Sequence, residues 1–218
     1  MTLECKICGV SSTEILNFIV NHRFPPQYVG FIANYTKSKR FVKIDKLKRL
    51  IDIDKKKSKF VAVLVKPSKN ILEEIKYLNF DYYQVYDCSP DELKYIKEKY
   101  RKKIISAITI GNNQDLNTYK EFLPFSEIIL FDSKGYEKSI GFDHNLLKNI
   151  PSNFKKMIAG NIKIKDISNF KNKEYIIDVS GGLEDISGKK SKIKIDEFLN
   201  EINKHEIKKK NIRSRSTR

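Results

Sequence analysis

Long apolar runs are missing from this sequence. None of its 218 residues belongs to a stretch approaching the ~18 consecutive apolar positions of a membrane-spanning helix. No charged, apolar and small-residue series of the signal-peptide kind opens it either. Cysteine is scarce: three residues, an odd number, do not build a disulfide scaffold, and a reducing, cytoplasmic compartment is the expectation. Histidine is equally sparse, with His22, His144 and His205 scattered, and no second C-x-x-C follows Cys5 and Cys8. A zinc site or a redox dithiol therefore lacks partners, and no metal is expected.

Negative charge is also in short supply, with 27 Asp and Glu against 43 Lys and Arg and a net charge of +16. Clustered cations suit a phosphate backbone. Here the lysines are spread along the whole chain, and the one dense basic patch lies in 205–218, with six Lys and Arg against one Glu. A basic enzyme of anionic substrates fits as well. The expectation is an anionic small-molecule ligand, with neither nucleic acid nor membrane as partner.

What is present is a rhythm of short apolar runs and amphipathic stretches. LECKIC (3–8) precedes STEILNFIVNH (12–22), QYVGFIA (27–33) precedes KIDKLKRLID (43–52), and FVAVLV (60–65) precedes KNILEEIKYL (69–78). YYQVY (82–86) leads to SPDELKYIKEKY (89–100), where Ser89 and Pro90 read as helix N-cap and first helical residue. KIISAIT (103–109), EIILFDS (127–133), KKMIAGN (155–161) and YIIDVSG (175–181) then precede helical stretches at 113–123, 142–150, 163–170 and 194–204. Most strands are continuous apolar runs, as expected where both faces of a parallel sheet are buried. Eight such units at a pitch of about 25 residues predict a minimal (β/α)8 barrel over 1–204, with a doubly wound open sheet as the alternative. The sixth and seventh helices look short. Residues 205–218 have no apolar period and read as a frayed, solvated basic tail.

In a barrel of this kind the chemistry sits at the C-terminal strand ends. Those positions hold Cys8, the Asn34–Arg40 loop, Gln84, Asp132, Gly160–Asn161 and Gly181–Gly182. Alternation along the first strand puts Lys6 and Cys8 on one face and Cys5 and Ile7 on the other. The C-x-x-C is thereby split between two sides. In the sixth strand Ile128, Leu130 and Asp132 share a face, so an inward-facing row ends in a carboxyl.

These residues, from about 4 to 203, resemble the phosphoribosylanthranilate isomerases. KICG (6–9) is similar to the family's K-I-C-G, KSKR (37–40) to its S-x-R loop, YQVY (83–86) to V-Q-L-H, and LFDS (130–133) to L-L-D-[ST]. IAGN (158–161) is similar to L-[SA]-G-G, and DVSGGLEDISGKK (178–190) to D-V-S-S-G-V-E-x-x-x-G-x-K. The chain departs from the pattern in five places. Tyr86 stands for the His of Q-L-H, Asn161 for the second glycine, Gly181 for one serine, and Tyr136–Ser139 for a G-G-T-G segment. The S-x-R loop is one residue longer.

The resemblance implies a cofactor-free Amadori rearrangement of N-(5-phosphoribosyl)anthranilate in tryptophan biosynthesis, by a monomer or homodimer. It implies Cys8 as general base and Asp132 as general acid. Arg40 would pair with the anthranilate carboxylate, with Lys6, Gln84 and Asp178 as further substrate-binding residues. Gly160, Asn161, Gly181 and Gly182 would bind phosphate through backbone N–H groups, with a helix N-terminus behind one pair. A free thiol titrates near ~8.5, so a base is expected to have a depressed pKa, with the charge of Lys6 beside it as the cause. Asp132 is expected to have a raised pKa from desolvation. The other function classes are a module binding ribonucleoside phosphates or RNA, another phosphosugar isomerase, and an inactive barrel relative.

Overall fold

A computed structural model describes residues 3–112, 115–134, 142–170 and 174–215, and side chains up to residue 204 apart from that of residue 149. Eight parallel strands close a barrel in chain order: β1 (Glu4–Ile7), β2 (Tyr28–Ile32), β3 (Lys59–Val65), β4 (Tyr82–Tyr86), β5 (Lys103–Ile110), β6 (Ile128–Ser133), β7 (Lys155–Ile158) and β8 (Tyr175–Val179). β4 and β8 are buried at every position, which is why their sequences lack alternation and hold one polar residue each, Gln84 and Asp178.

Six α-helices are described: α1 (Thr13–Val20), α2 (Ile44–Leu50), α3 (Lys69–Ile75), α4 (Pro90–Tyr100), α5 (Tyr119–Phe122) and α6 (Lys192–Arg215). α4 starts where the sequence says it should. Ser89 accepts from the Glu92 N–H, the Glu92 side chain bonds back to the Ser89 N–H, and Pro90 opens the helix.

The connections after β5, β6 and β7 differ from the expected helices. The first is a single turn of α5 flanked by 3-10 turns, and the others are 3-10 turns at His144–Asn149 and Ile164–Phe170. Ile164, Ile167 and Phe170 recur every third residue, which is the 3-10 period, and Ile167 and Phe170 are buried by it. α6 also departs from expectation, because helical backbone continues to Arg215, past the boundary at 204. Lys, Arg and Glu propagate a helix without needing an apolar stripe.

Two apolar layers result. One lies between the barrel and its helices and includes Cys5, Ile7, Phe31, Leu47 and Phe198. The other fills the barrel with alternate strand residues, among them Cys8, Tyr28, Val61, Tyr86, Leu130 and Met157. Three polar side chains, Lys6, Gln84 and Asp178, are buried within that inner layer of positions. Register explains two of them, because β1 and β8 pair Lys6 directly with Asp178.

Candidate active site

A cavity of about 390 Å³ opens at the C-terminal strand ends and is bordered by both Cys8 and Asp132. The strand alternation that splits Cys5 from Cys8 operates as expected, and the two sulfurs lie in different layers. Gly30 on β2 makes room for the thiol. A Cβ there would lie 2.9 Å from Cys8 Sγ and 3.0 Å from Lys6 Cε, which places sulfur and lysine side by side against β2.

The expected depression of the Cys8 pKa does not occur. Burial raises it above the ordinary thiol value and outweighs the opposing pull of Lys6. Asp178 on β8 adds to the rise: Lys6 Nζ donates to its Oδ2 at 2.7 Å, and that carboxylate disfavours a thiolate beside it. Burial works against charge on Lys6 as well, yet Asp178 and the Cys8 sulfur outweigh it and hold the ammonium pKa above its ordinary value. Asp178 Oδ1 has no hydrogen-bond partner among the described residues, and Asp178 borders the cavity.

Asp132 behaves as expected. Burial pushes its carboxyl from 3.8 up to about 6, against the hydrogen bonds it accepts. Tyr86 Oη donates to Asp132 Oδ2 at 2.8 Å, and the Ser133 N–H donates to Oδ1 at 2.7 Å. Behind Tyr86, Gln84 Nε2 donates to its hydroxyl at 3.1 Å.

Gly160, Asn161, Gly181 and Gly182 line the same cavity, at the ends of β7 and β8 between Asp132 on β6 and Cys8 after β1. Gly160 has φ +95° and Asn161 φ +52°, so the asparagine takes the left-handed conformation that its residue type tolerates. A Cβ on Gly182 would lie 2.8 Å from the Ile162 carbonyl oxygen, so only glycine fits there. Among the described residues, no backbone hydrogen bond uses the N–H groups of these four positions. The expected helix N-terminus behind them is only a 3-10 turn, Gly181–Leu183, because α6 starts nine residues later. Any anion here is met by individual N–H groups.

Arg40 reaches the cavity but is gripped by Glu184, with Nη2 3.1 Å from Oε2 and Nε on Oε1. Lys39 and Lys190 hold the same carboxylate at 3.0 and 2.9 Å. Burial alone would raise the Glu184 pKa, but its three cations pull it down to about 2. A Cβ on Gly9 would collide with Arg40 Cδ, so that glycine clears the arginine's path.

Of the ten residues singled out in the sequence, eight border one cavity: Cys8, Arg40, Asp132, Gly160, Asn161, Asp178, Gly181 and Gly182. Lys6 and Gln84 are wholly buried one step further down their strands and reach it through Cys8, Asp178 and Tyr86. Tyr86 and Glu184 were missed as site residues. Alternation from Gln84 would have found Tyr86, and Glu184 lies inside the quoted 178–190 block. Tyr136–Ser139 falls outside the described residues. No helix among the described residues is long and apolar enough to cross a membrane.

The family model described as N-(5'phosphoribosyl)anthranilate (PRA) isomerase matches residues 5–201. A Rhizobium johnstonii protein named N-(5'-phosphoribosyl)anthranilate isomerase is 29% identical over 215 residues, covering 94% of this chain and 96% of that one. The crystal structure of phosphoribosyl anthranilate isomerase from Thermotoga maritima superposes with a TM-score of 0.81 at 24% identity, covering 93% of this chain and 99% of that one. A phosphoribosyl anthranilate isomerase crystallised with reduced 1-(o-carboxyphenylamino)-1-deoxyribulose 5-phosphate gives 0.79, with the same identity and coverage. The strand-end thiol, the strand-end carboxyl and the two small-residue turns thus stand on the barrel that a model of one family matches almost from end to end, and this chain belongs to the N-(5'-phosphoribosyl)anthranilate isomerase family.

Proposed function

We propose that the protein converts N-(5-phosphoribosyl)anthranilate into 1-(2-carboxyphenylamino)-1-deoxyribulose 5-phosphate, with Asp132 as general acid and Cys8 as general base. Asp132 gives its proton to the furanose ring oxygen as the C1–O bond breaks, and the nitrogen lone pair forms an iminium at C1. Cys8 then takes the proton from C2, whose electron pair forms the C1–C2 double bond and neutralises the iminium. The resulting enol-amine tautomerises to the ketone. Every atom of the substrate is retained, and no redox cofactor enters the balance.

The observation that carries this reading is one cavity of about 390 Å³ bordered by a buried thiol from β1 and a buried carboxyl from β6. Two further features support it. Four backbone N–H groups that give no backbone hydrogen bond among the described residues suit the phosphate. The iminium supplies beside Cys8 a positive charge that adds to the pull of Lys6, which burial outweighs in the free site. Arg40 meets the anthranilate carboxylate from its position beside Glu184. On this reading the barrel over 1–204 is the catalytic domain, residues 205–218 lie outside it, and the protein works in the cytoplasm as a monomer or homodimer.

Loss of the fluorescence of the phosphoribosylanthranilate measures turnover directly. Cys8→Ala and Asp132→Asn are each expected to lower kcat by about 10²–10⁴-fold. Wild-type rates in both variants would remove the assignment.

A further inference from the structure

Tyr86 occupies the last position of β4, one inward-facing step beyond Gln84. Its ring belongs to the packed interior of the barrel, and its hydroxyl reaches the cavity edge. An amide nitrogen only donates, so the 3.1 Å bond from Gln84 Nε2 occupies an acceptor site on the phenol oxygen. The phenol's single proton is thereby aimed at Asp132 Oδ2, 2.8 Å away. With the Ser133 N–H on Oδ1, each carboxylate oxygen meets one donor that is in place before any proton moves.

We propose that Tyr86 is a positioning residue for the general acid: its hydroxyl, oriented by Gln84, stabilises the carboxylate that Asp132 becomes once it has given its proton to the substrate. The inference rests on the reading of Asp132 as the acid. It adds a residue at which the chain carries Tyr in place of the family pattern's His. The phenol suits the task because it stays neutral: burial and the facing carboxylate raise its pKa well above 10, so it donates and does not compete as an acid. Burial raises Asp132, and the Tyr86 bond works against that rise. A fixed donor of this kind acts on the product of proton transfer and needs no rearrangement during it.

The direct test is a carboxyl-carbon NMR titration of the full-length protein, with the Asp132 resonance identified by its loss in Asp132→Asn. In wild type the midpoint is expected near about 6. Tyr86→Phe keeps the ring and removes the donor, and the midpoint is expected to rise by about one to two pH units. An unchanged midpoint overturns the proposal. So does a lowered one, which would mean that the carboxyl donates to the phenol instead. Uniform 3-fluorotyrosine in place of all 11 tyrosines leaves packing nearly intact and makes Tyr86 a stronger donor, so it should move the midpoint down; no movement counts against the proposal. Kinetics separate the two levels of inference. Below about pH 6, where Asp132 holds its proton in both proteins, Tyr86→Phe should lower kcat with KM nearly unchanged. If Asp132→Asn keeps wild-type kcat, the acid reading fails. If Asp132→Asn is inactive while the Tyr86→Phe midpoint stays put, only the role of Tyr86 fails.

Discussion

Replacing Asp178 by Asn probes the polar centre of the barrel. Lys6 Nζ lies 2.7 Å from Asp178 Oδ2, and the two side chains are 0% and 5% exposed. Water does not reach the ammonium, so removing the carboxylate strands a buried charge. Losing one partner of such a pair typically costs about 3–5 kcal/mol, against about 0–1 kcal/mol for an exposed pair. In a chain of 218 residues each kcal/mol lowers Tm by about 2–4 °C, so Asp178→Asn should lower it by roughly 6–20 °C. A double variant, Lys6→Met with Asp178→Leu, removes both charges and keeps the space filled, and it should be more stable than either single variant. Lys6→Met alone strands a carboxyl that burial already pushes towards its protonated form, so its penalty should shrink as pH falls. Urea and thermal unfolding of all four proteins rank these costs. A loss below about 1 kcal/mol in Asp178→Asn, or a double variant weaker than both singles, would refute the picture of a matched buried pair.

Because the active form holds a proton on Asp132 and none on Cys8, kcat/KM should climb with pH to a bend near about 6 and then run flat until the raised Cys8 pKa; a bend that persists in Asp132→Asn would belong to another group. Gly30→Ala would put a methyl 2.9 Å from Cys8 Sγ, costing about 1–3 kcal/mol in urea unfolding and lowering kcat, and unchanged kinetics would mean that the sulfur is not held against β2. Glu184 titrates at about 2 when folded against an ordinary 4.5, so its contribution to stability is complete above 4.5 and disappears as pH falls towards 2. Glu184→Gln should remove that part of the acid-unfolding slope and raise KM by releasing Arg40, and a variant with the wild-type slope would show that the three cations do not act on it.

The strands were legible because burial on both faces removes the apolar–polar alternation: YYQVY, interrupted only by Gln84, gives β4 at both ends. α4 was legible from local chemistry, since Ser89, Pro90 and Glu92 carry the cap within four residues. The 3-10 connections were not, because six or seven residues present too few turns to tell a period of 3.0 from one of 3.6. The strand-end rule found the thiol, the carboxyl and both glycine turns, since each is one residue type at one position. It missed what depends on pairing across the chain. Lys6 and Asp178 are 172 residues apart and meet only through the register of β1 and β8, and Arg40 meets Glu184 across 144 residues. The sequence shows neither that pair nor the depth of burial that outweighs the pull of Lys6 on Cys8.

The acid and the base share one cause with opposite consequences. Burial disfavours charge on both, and for a carboxyl that is an asset, because a group near about 6 keeps its proton about a tenth of the time at pH 7, far more often than an ordinary Asp. For a thiol it is an obstacle: even an ordinary one, near ~8.5, is only about 3% ionised at pH 7, and Cys8 lies above the ordinary value. At neutral pH the resting site therefore carries its proton on sulfur and its charge on Asp132, the reverse of what the reaction needs. The two arrangements have the same net charge and differ only in where one proton sits. Three groups then decide how often the competent arrangement forms: Tyr86 on the acid side, Lys6 on the base side, and the cationic intermediate between them. Strengthening the Tyr86 bond favours release of the proton from Asp132 but leaves less of the resting acid protonated. The rate is thus set by a compromise between holding a proton and giving it up, and the hydrogen bond to Asp132 is where that compromise can be tuned without touching the substrate.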